Sequence, residues 1–175
     1  ILVPYSFPSY YWREVTKDSG DQFTDVNSSI LAYQSLDQES DKASRLPFWD
    51  TVKYLSEQQT IYDVRMFGDD DLRPDRVSAE DWKQYALILL PECTYLTENQ
   101  CEELEKYVSD GGKLVLFGRT AENHPGWAER MASMDGVTVV ENPDARREAV
   151  RNLDAAFRPL SREIAQVTLQ TEDPA

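Results

Sequence analysis

The chain holds few side chains able to do covalent chemistry: two cysteines, Cys93 and Cys101, and one histidine, His124, among 175 residues. Cys93 and His124 each follow an apolar run that reads as a strand, so both can be drawn toward one crevice. A thiolate beside an imidazolium there would attack an acyl or amide carbon. Such a nucleophile needs a strained strand-to-helix turn with small residues on both sides, as in G-x-S-x-G. Cys93 instead has Glu92 before it and no adjacent glycine, and His124 lies in the turn-like Glu122-Asn123-His124-Pro125-Gly126. The dyad is kept as an alternative, and no catalytic residue is assigned.

Other chemical groupings have simpler readings. Asp69-Asp70-Asp71 could offer oxygens to a hard cation, but D-x-D-x-D-G is absent and an acidic turn leading into a helix accounts for the run. No metal is expected. No G-x-G-x-x-G follows a strand and no G-x-x-x-x-G-K-[ST] occurs, so no nucleotide cofactor is expected. Tyr5, Phe7, Tyr10, Tyr11 and Trp12 cluster past the first strand. Aromatic faces stack on sugars and anchor interfaces, though packing inside the domain is the commoner use. Tyr10, Tyr11 and Trp12 are the candidates for interface or sugar contact. Arg146, Arg147 and Arg151 fit a solvated helix face paired with Glu141, Asp144 and Glu148.

The elements that would position these groups are clearest from Ala86 to Thr120. Ala86 to Leu90 is an unbroken apolar run, as expected of a strand covered on both faces, with Pro91 ending it. Thr97 can cap a helix with Cys101, Leu104, Tyr107 and Val108 on one side, and Gly111-Gly112 stops it. Lys113 to Phe117 is the next strand, which makes a βαβ unit. Upstream, Ile1 to Tyr5 reads as the first strand, Pro47 to Gln59 as an amphipathic helix, Ile61 to Phe67 as the second strand, and a short helix starts near Ala79. Residues 13–46 form a long irregular connection in which Asn27 to Ser35 should be helical or pinned to a partner. Downstream, Trp127 to Met134 reads as a helix, Gly136 to Glu141 as a strand, Asp144 to Phe157 as a helix, and Ala165 to Leu169 as strand-like. The expected fold is a three-layer α/β sandwich: a mostly parallel sheet of about five strands with helices on both faces, flavodoxin-like or class I glutamine-amidotransferase-like.

The segment Leu87 to Thr120, LILLPECTYLTENQCEELEKYVSDGGKLVLFGRT, resembles the trimerisation domain of β-galactosidases in glycoside hydrolase family forty-two. It is preceded by Tyr62-Asp63-Val64-Arg65-Met66-Phe67-Gly68-Asp69-Asp70-Asp71-Leu72 and by a first strand opening into Tyr5-Ser6-Phe7. The resemblance implies an amidotransferase-like fold and an architectural role: a non-catalytic accessory domain that follows a (β/α)8 barrel of the same chain and helps arrange barrels, as a trimer, around a molecular axis. It carries over no catalytic residue, because the loop after Phe117 offers Gly118, Arg119 and Thr120 where an amidotransferase cysteine would be sought. The alternatives are a cysteine hydrolase using Cys93 and His124, and a carbohydrate-binding module using Tyr10 to Trp12.

Composition sets the outer bounds. One domain of 1–175 is expected, cut from a larger protein at both ends, with 158–175 leading into a following segment. The excess of 32 acidic over 18 basic residues, a formal charge of −14, disfavours nucleic acid and suits a surface adapted to high salt. No run of apolar residues is long enough to span a membrane, so a soluble domain is expected, with the cytoplasm as its default compartment. Two cysteines in one helical region make no disulfide framework, and reduced thiols are expected.

Overall fold

The computed structural model describes residues 1–9, 47–143 and 146–171. Five strands, β1 (Leu2–Ser6), β2 (Asp63–Phe67), β3 (Leu87–Pro91), β4 (Lys113–Phe117) and β5 (Val137–Val140), form one sheet in the order β2-β1-β3-β4-β5. Every pairing is parallel. This is the flavodoxin-like order, in which the chain reverses its direction of sheet growth between β1 and β3. The helices are α1 (Pro47–Glu57), α2 (Ala79–Trp82), α3 (Glu98–Ser109), α4 (Trp127–Ala132) and α5 (Arg146–Thr171). Among the described residues no helix is long and apolar enough to cross a membrane.

Side chains alternate across a strand, and β3 shows why an unbroken apolar run is needed in the middle of such a sheet. Ile88 and Leu90 enter a core with Trp82, Leu104, Tyr107, Trp127 and Met131 from α2, α3 and α4. Leu87 and Leu89 enter a second core with Phe48, Leu55, Leu153 and Phe157 from α1 and α5. The sheet is thus the middle of three layers.

The βαβ unit closes on a side-chain cap at the start of α3 and on backbone hydrogen bonds at its end. At its start Thr97 Oγ1 accepts from the Gln100 backbone N–H, and Gln100 Oε1 accepts from the Thr97 N–H, both at 3.1 Å. Gln100 is fully buried, and its Nε2 donates to the Gly68 carbonyl at 2.7 Å, tying α3 to the end of β2. At the other end Gly111 N–H bonds Val108 O and Gly112 N–H bonds Tyr107 O, each at 2.9 Å, with Gly111 at a φ of +97°. A Cβ on Gly112 would lie 2.3 Å from the Tyr107 ring, whose hydroxyl donates to Tyr85 O at 2.9 Å.

Several boundaries differ from those read in the sequence. Pro91 belongs to β3, paired in register with Phe117, and the carbonyl of Phe117 takes its hydrogen bond from Glu92 N. A proline is admissible at this last position because the bond falls one residue later. Ile61 and Tyr62 precede β2, and α1 stops at Glu57. The largest correction is at the C-terminus. Residues Ala165 to Leu169, expected as strand-like, lie inside α5, which runs through Pro159 to Thr171. Leu153, Phe157, Leu160, Ile164 and Val167 recur at alternating intervals of four and three, a helical period that the shorter apolar alternation hides. The long connection 13–46, with its expected helix at 27–35, lies outside the described residues.

The doubled use of Gln100 yields a stability test. Gln100→Ala removes the cap and leaves the buried Gly68 carbonyl unpaired, so a loss of about 2–3 kcal/mol is expected, against about 1 kcal/mol for Thr97→Ala. Urea unfolding of the two variants beside the parent protein measures both, and equal losses would contradict the buried contribution.

Candidate functional site

In an open parallel sheet, groups able to act on a ligand gather beyond the C-terminal ends of the strands. Here four strand ends are laced together. After β1 the chain makes a helical turn over 7–9, and Ser6 Oγ and Ser9 Oγ, in contact with each other, donate to Tyr95 O at 3.1 and 2.9 Å. Tyr95 N–H returns a bond to Ser9 Oγ at 3.0 Å. The loop after β3 is thereby held to β1 across the point where the strand order reverses.

The first residue of that loop, Glu92, adopts a left-handed φ of +50°, although it is not a glycine. Its carbonyl accepts from Thr94 N–H at 2.8 Å, which makes a turn of minimal length. A bulky residue in this region is strained by about 1–3 kcal/mol and persists only when its surroundings hold it. They do: the carboxylate is buried, with Oε1 3.4 Å from Arg119 Nε and Oε2 3.3 Å from Asn142 Nδ2. Arg119 also reaches Glu122 Oε1 at 3.2 Å. One carboxylate therefore joins the loops after β3, β4 and β5. Gly118 completes the fit, because a Cβ there would stand 3.0 Å from Asn142 Cβ and 3.2 Å from Glu92 Cγ, at a φ of +77° that already favours glycine.

A strained turn thus does follow β3, with its apex at Glu92, one residue before the cysteine. The spacing of residues could not show this, since neither Pro91 nor Cys93 is a small neighbour of the usual kind. Cys93 itself points into the core that holds Leu96, Cys101 and Leu104, and is 1% exposed. Burial, and then the Glu92 charge, pushes its thiol far above the ordinary thiol range, opposite to what a thiolate nucleophile requires. His124 Nε2 donates to Leu96 O at 2.9 Å, and its backbone N–H bonds Ala121 O at 2.9 Å. Asn123 brackets the same residue, donating to Leu96 O at 2.7 Å and accepting from Leu96 N–H at 3.1 Å. No hydrogen bond joins His124 to Cys93. The two residues share a loop region, but each is engaged in holding it together.

The acidic run after β2 is likewise occupied. Asp69 Oδ1 accepts backbone N–H bonds from Arg73 at 2.8 Å, Leu72 at 3.0 Å and Asp71 at 3.2 Å, the first of which does most to hold its carboxyl below the usual range. Asp70 takes a φ of +63° in the same turn. Among the described residues no three His, Cys, Asp or Glu side chains converge as metal ligands. Of the aromatic cluster, Tyr5 packs edge-on against Phe48 at 5.0 Å, and Arg73 lies 4.8 Å over the Phe7 ring. Tyr10, Tyr11 and Trp12 lie outside the described residues. Of the arginine group, Arg151 pairs with Glu148 at 3.5 Å on an exposed face, while the side chains of Arg146 and Arg147 lie outside the description.

Comparison with known families gives a match over residues 35–132 to the β-galactosidase trimerisation domain. That span covers more than half of the chain and includes α1, β2, α2, the whole βαβ unit and α4. The chain belongs to the β-galactosidase trimerisation domain family. No curated protein and no solved structure matches it. Within the family match lie Glu92, Cys93, Gly118, Arg119 and His124, whereas β5, Asn142 and α5 fall beyond it.

The buried thiols set a pH dependence. Cys101 is pushed up to about 12 by burial and then by Glu105, and Cys93 higher still, from an ordinary 9.0. Both stay protonated in the fold while the unfolded chain releases their protons, so their contribution is complete below pH 9 and is lost as pH rises above it. The urea midpoint is expected to fall between about pH 9 and 11, with a shallower slope in Cys93→Ala than in the parent. Identical slopes would mean that Cys93 is not shielded in the fold.

Proposed function

We propose that this chain is a non-catalytic accessory domain that arranges the subunits of a β-galactosidase-type protein, with a catalytic barrel of the same chain as its partner and a trimer as the assembly. Membership of the trimerisation family carries the reading. The geometry at the strand ends supports it. The one candidate nucleophile is buried with its thiol held protonated, and the one histidine is bonded to a backbone carbonyl. The charged residues of the site, Glu92 and Arg119, pair with one another across loops, the carboxylate buried and the guanidinium half exposed. These contacts suit a scaffold.

Sedimentation velocity of the full-length protein, with and without this domain, tests the reading. The intact protein should sediment as an oligomer and the truncated one as a smaller species. An oligomer unchanged by removal of the domain would overturn the proposal. Turnover of glutamine or a p-nitrophenyl ester that disappears in Cys93→Ala would overturn it from the other side.

The acid excess supports a second element of the proposal, a surface suited to high salt. At a net charge of −14 the folded chain repels itself, and salt screens that repulsion within about 10 Å at 0.1 M and about 3 Å at 1 M. The thermal midpoint should rise steadily from low salt to molar potassium chloride. A flat or falling midpoint would mark an ordinary acidic domain.

A further inference from the structure

The two edges of the sheet are β2 and β5, and they differ in what they leave uncovered. On β2, Asp63, Arg65 and Phe67 alternate with Val64 and Met66. The first set faces α2 and α3: Phe67 stacks on Trp82 at 5.7 Å, and Tyr85 Oη donates to Asp63 Oδ2 at 2.7 Å. The second set lies on the α1 side, in register with Val3 and Tyr5 of β1. There α1 lies over β1 and β3. Val64 and Met66 remain 47% and 50% exposed, beside an 88% exposed Ile61.

This strip is continuous with an aromatic anchor. Met66 pairs with Tyr5, Tyr5 meets Phe48 edge-on at 5.0 Å, and Phe48 meets Trp49 at 5.2 Å. Trp49 is 48% exposed. A large apolar strip ending in a half-exposed tryptophan has the composition of an interface core. One charge borders it, the Arg73 guanidinium, whose Nη1 lies 3.4 Å from Met66 Sδ.

We infer that the α1–β2 face, centred on Val64, Met66 and Trp49, is the surface on which a second copy of this chain docks. The inference rests on the proposed oligomeric role and gives it a location. Two observations select the occupant. The family is one of trimerisation domains, and its match, 35–132, contains Trp49, Ile61, Val64 and Met66. The opposite edge lies beyond the match, and its one large exposed apolar side chain is Val139. A ring of three copies requires a head-to-tail contact, in which this face meets a different face of its neighbour. It must gather a surrounding rim to reach the roughly 800 Å² per partner of a stable interface.

The test is made in the full-length protein. Met66→Glu and Trp49→Ala should each shift the assembly to smaller species in sedimentation, with Met66→Glu raising the dissociation constant at least about tenfold through a buried unpaired charge. A labelling experiment guards against misfolding. Cys93 and Cys101 are buried, so a thiol introduced by Val64→Cys reports on its own surroundings. It should react slowly with a maleimide in the oligomer and as fast as a free thiol once Met66→Glu is added. Intact mass in Met66→Glu and Trp49→Ala, or fast labelling of Val64→Cys within the oligomer, overturns the inference while leaving the oligomeric role standing. Slow labelling that persists after the assembly dissociates would assign the cover to the same chain and also overturns it. A parent protein that is itself monomeric overturns the oligomeric role, and the surface with it.

Discussion

A strand buried on both faces can satisfy its polar backbone only through its two neighbours, and β3, buried from Leu87 to Pro91, imposes that condition on the whole domain. Its partners must be parallel and in register. They are: β4 follows it residue for residue from Leu87 opposite Lys113 to Pro91 opposite Phe117. Parallel pairing demands a crossover, and α3 supplies one whose ends are closed by Thr97, Gln100 and the glycine pair. Where β3 leaves the sheet, its ladder continues into the loops, because Cys93 O and Thr94 O accept from Ala121 and Glu122 at 2.9 and 2.7 Å. Backbone bonding between these two segments thus carries on past the strand ends.

The central unit was legible in the sequence for physical reasons. An apolar run without alternation, a threonine ahead of a helical period, and two glycines after it agree on strand, helix and strand. The parallel fold followed from them. The C-terminal helix was misread because Pro159 invites a boundary, while the apolar period beyond it supports continuation once Leu153 and Phe157 are fixed in the core.

Little of the strand-end geometry was legible in the sequence. The missing small residues around Cys93 argued against a nucleophile, and the buried thiol fits that argument. The Glu92 turn was invisible, since its conformation comes from Arg119, Asn142 and Gly118, which are 26 to 50 residues away and become neighbours only when β3, β4 and β5 align. Exposure on β2 was equally hidden. Val64 and Met66 read as an ordinary half-buried strand face, and only the placement of α1 over β1 and β3 shows that the described helices leave that face open.

The left-handed residue at the end of β3 has a consequence for how such a scaffold can change. Its backbone shape is held through the side chain at its apex, whose carboxylate meets Arg119 from the loop after β4 and Asn142 from the loop after β5. Shape and side chain at this position are therefore coupled. A replacement too short to span both partners would leave the left-handed turn without its fastening and let three loops part at once.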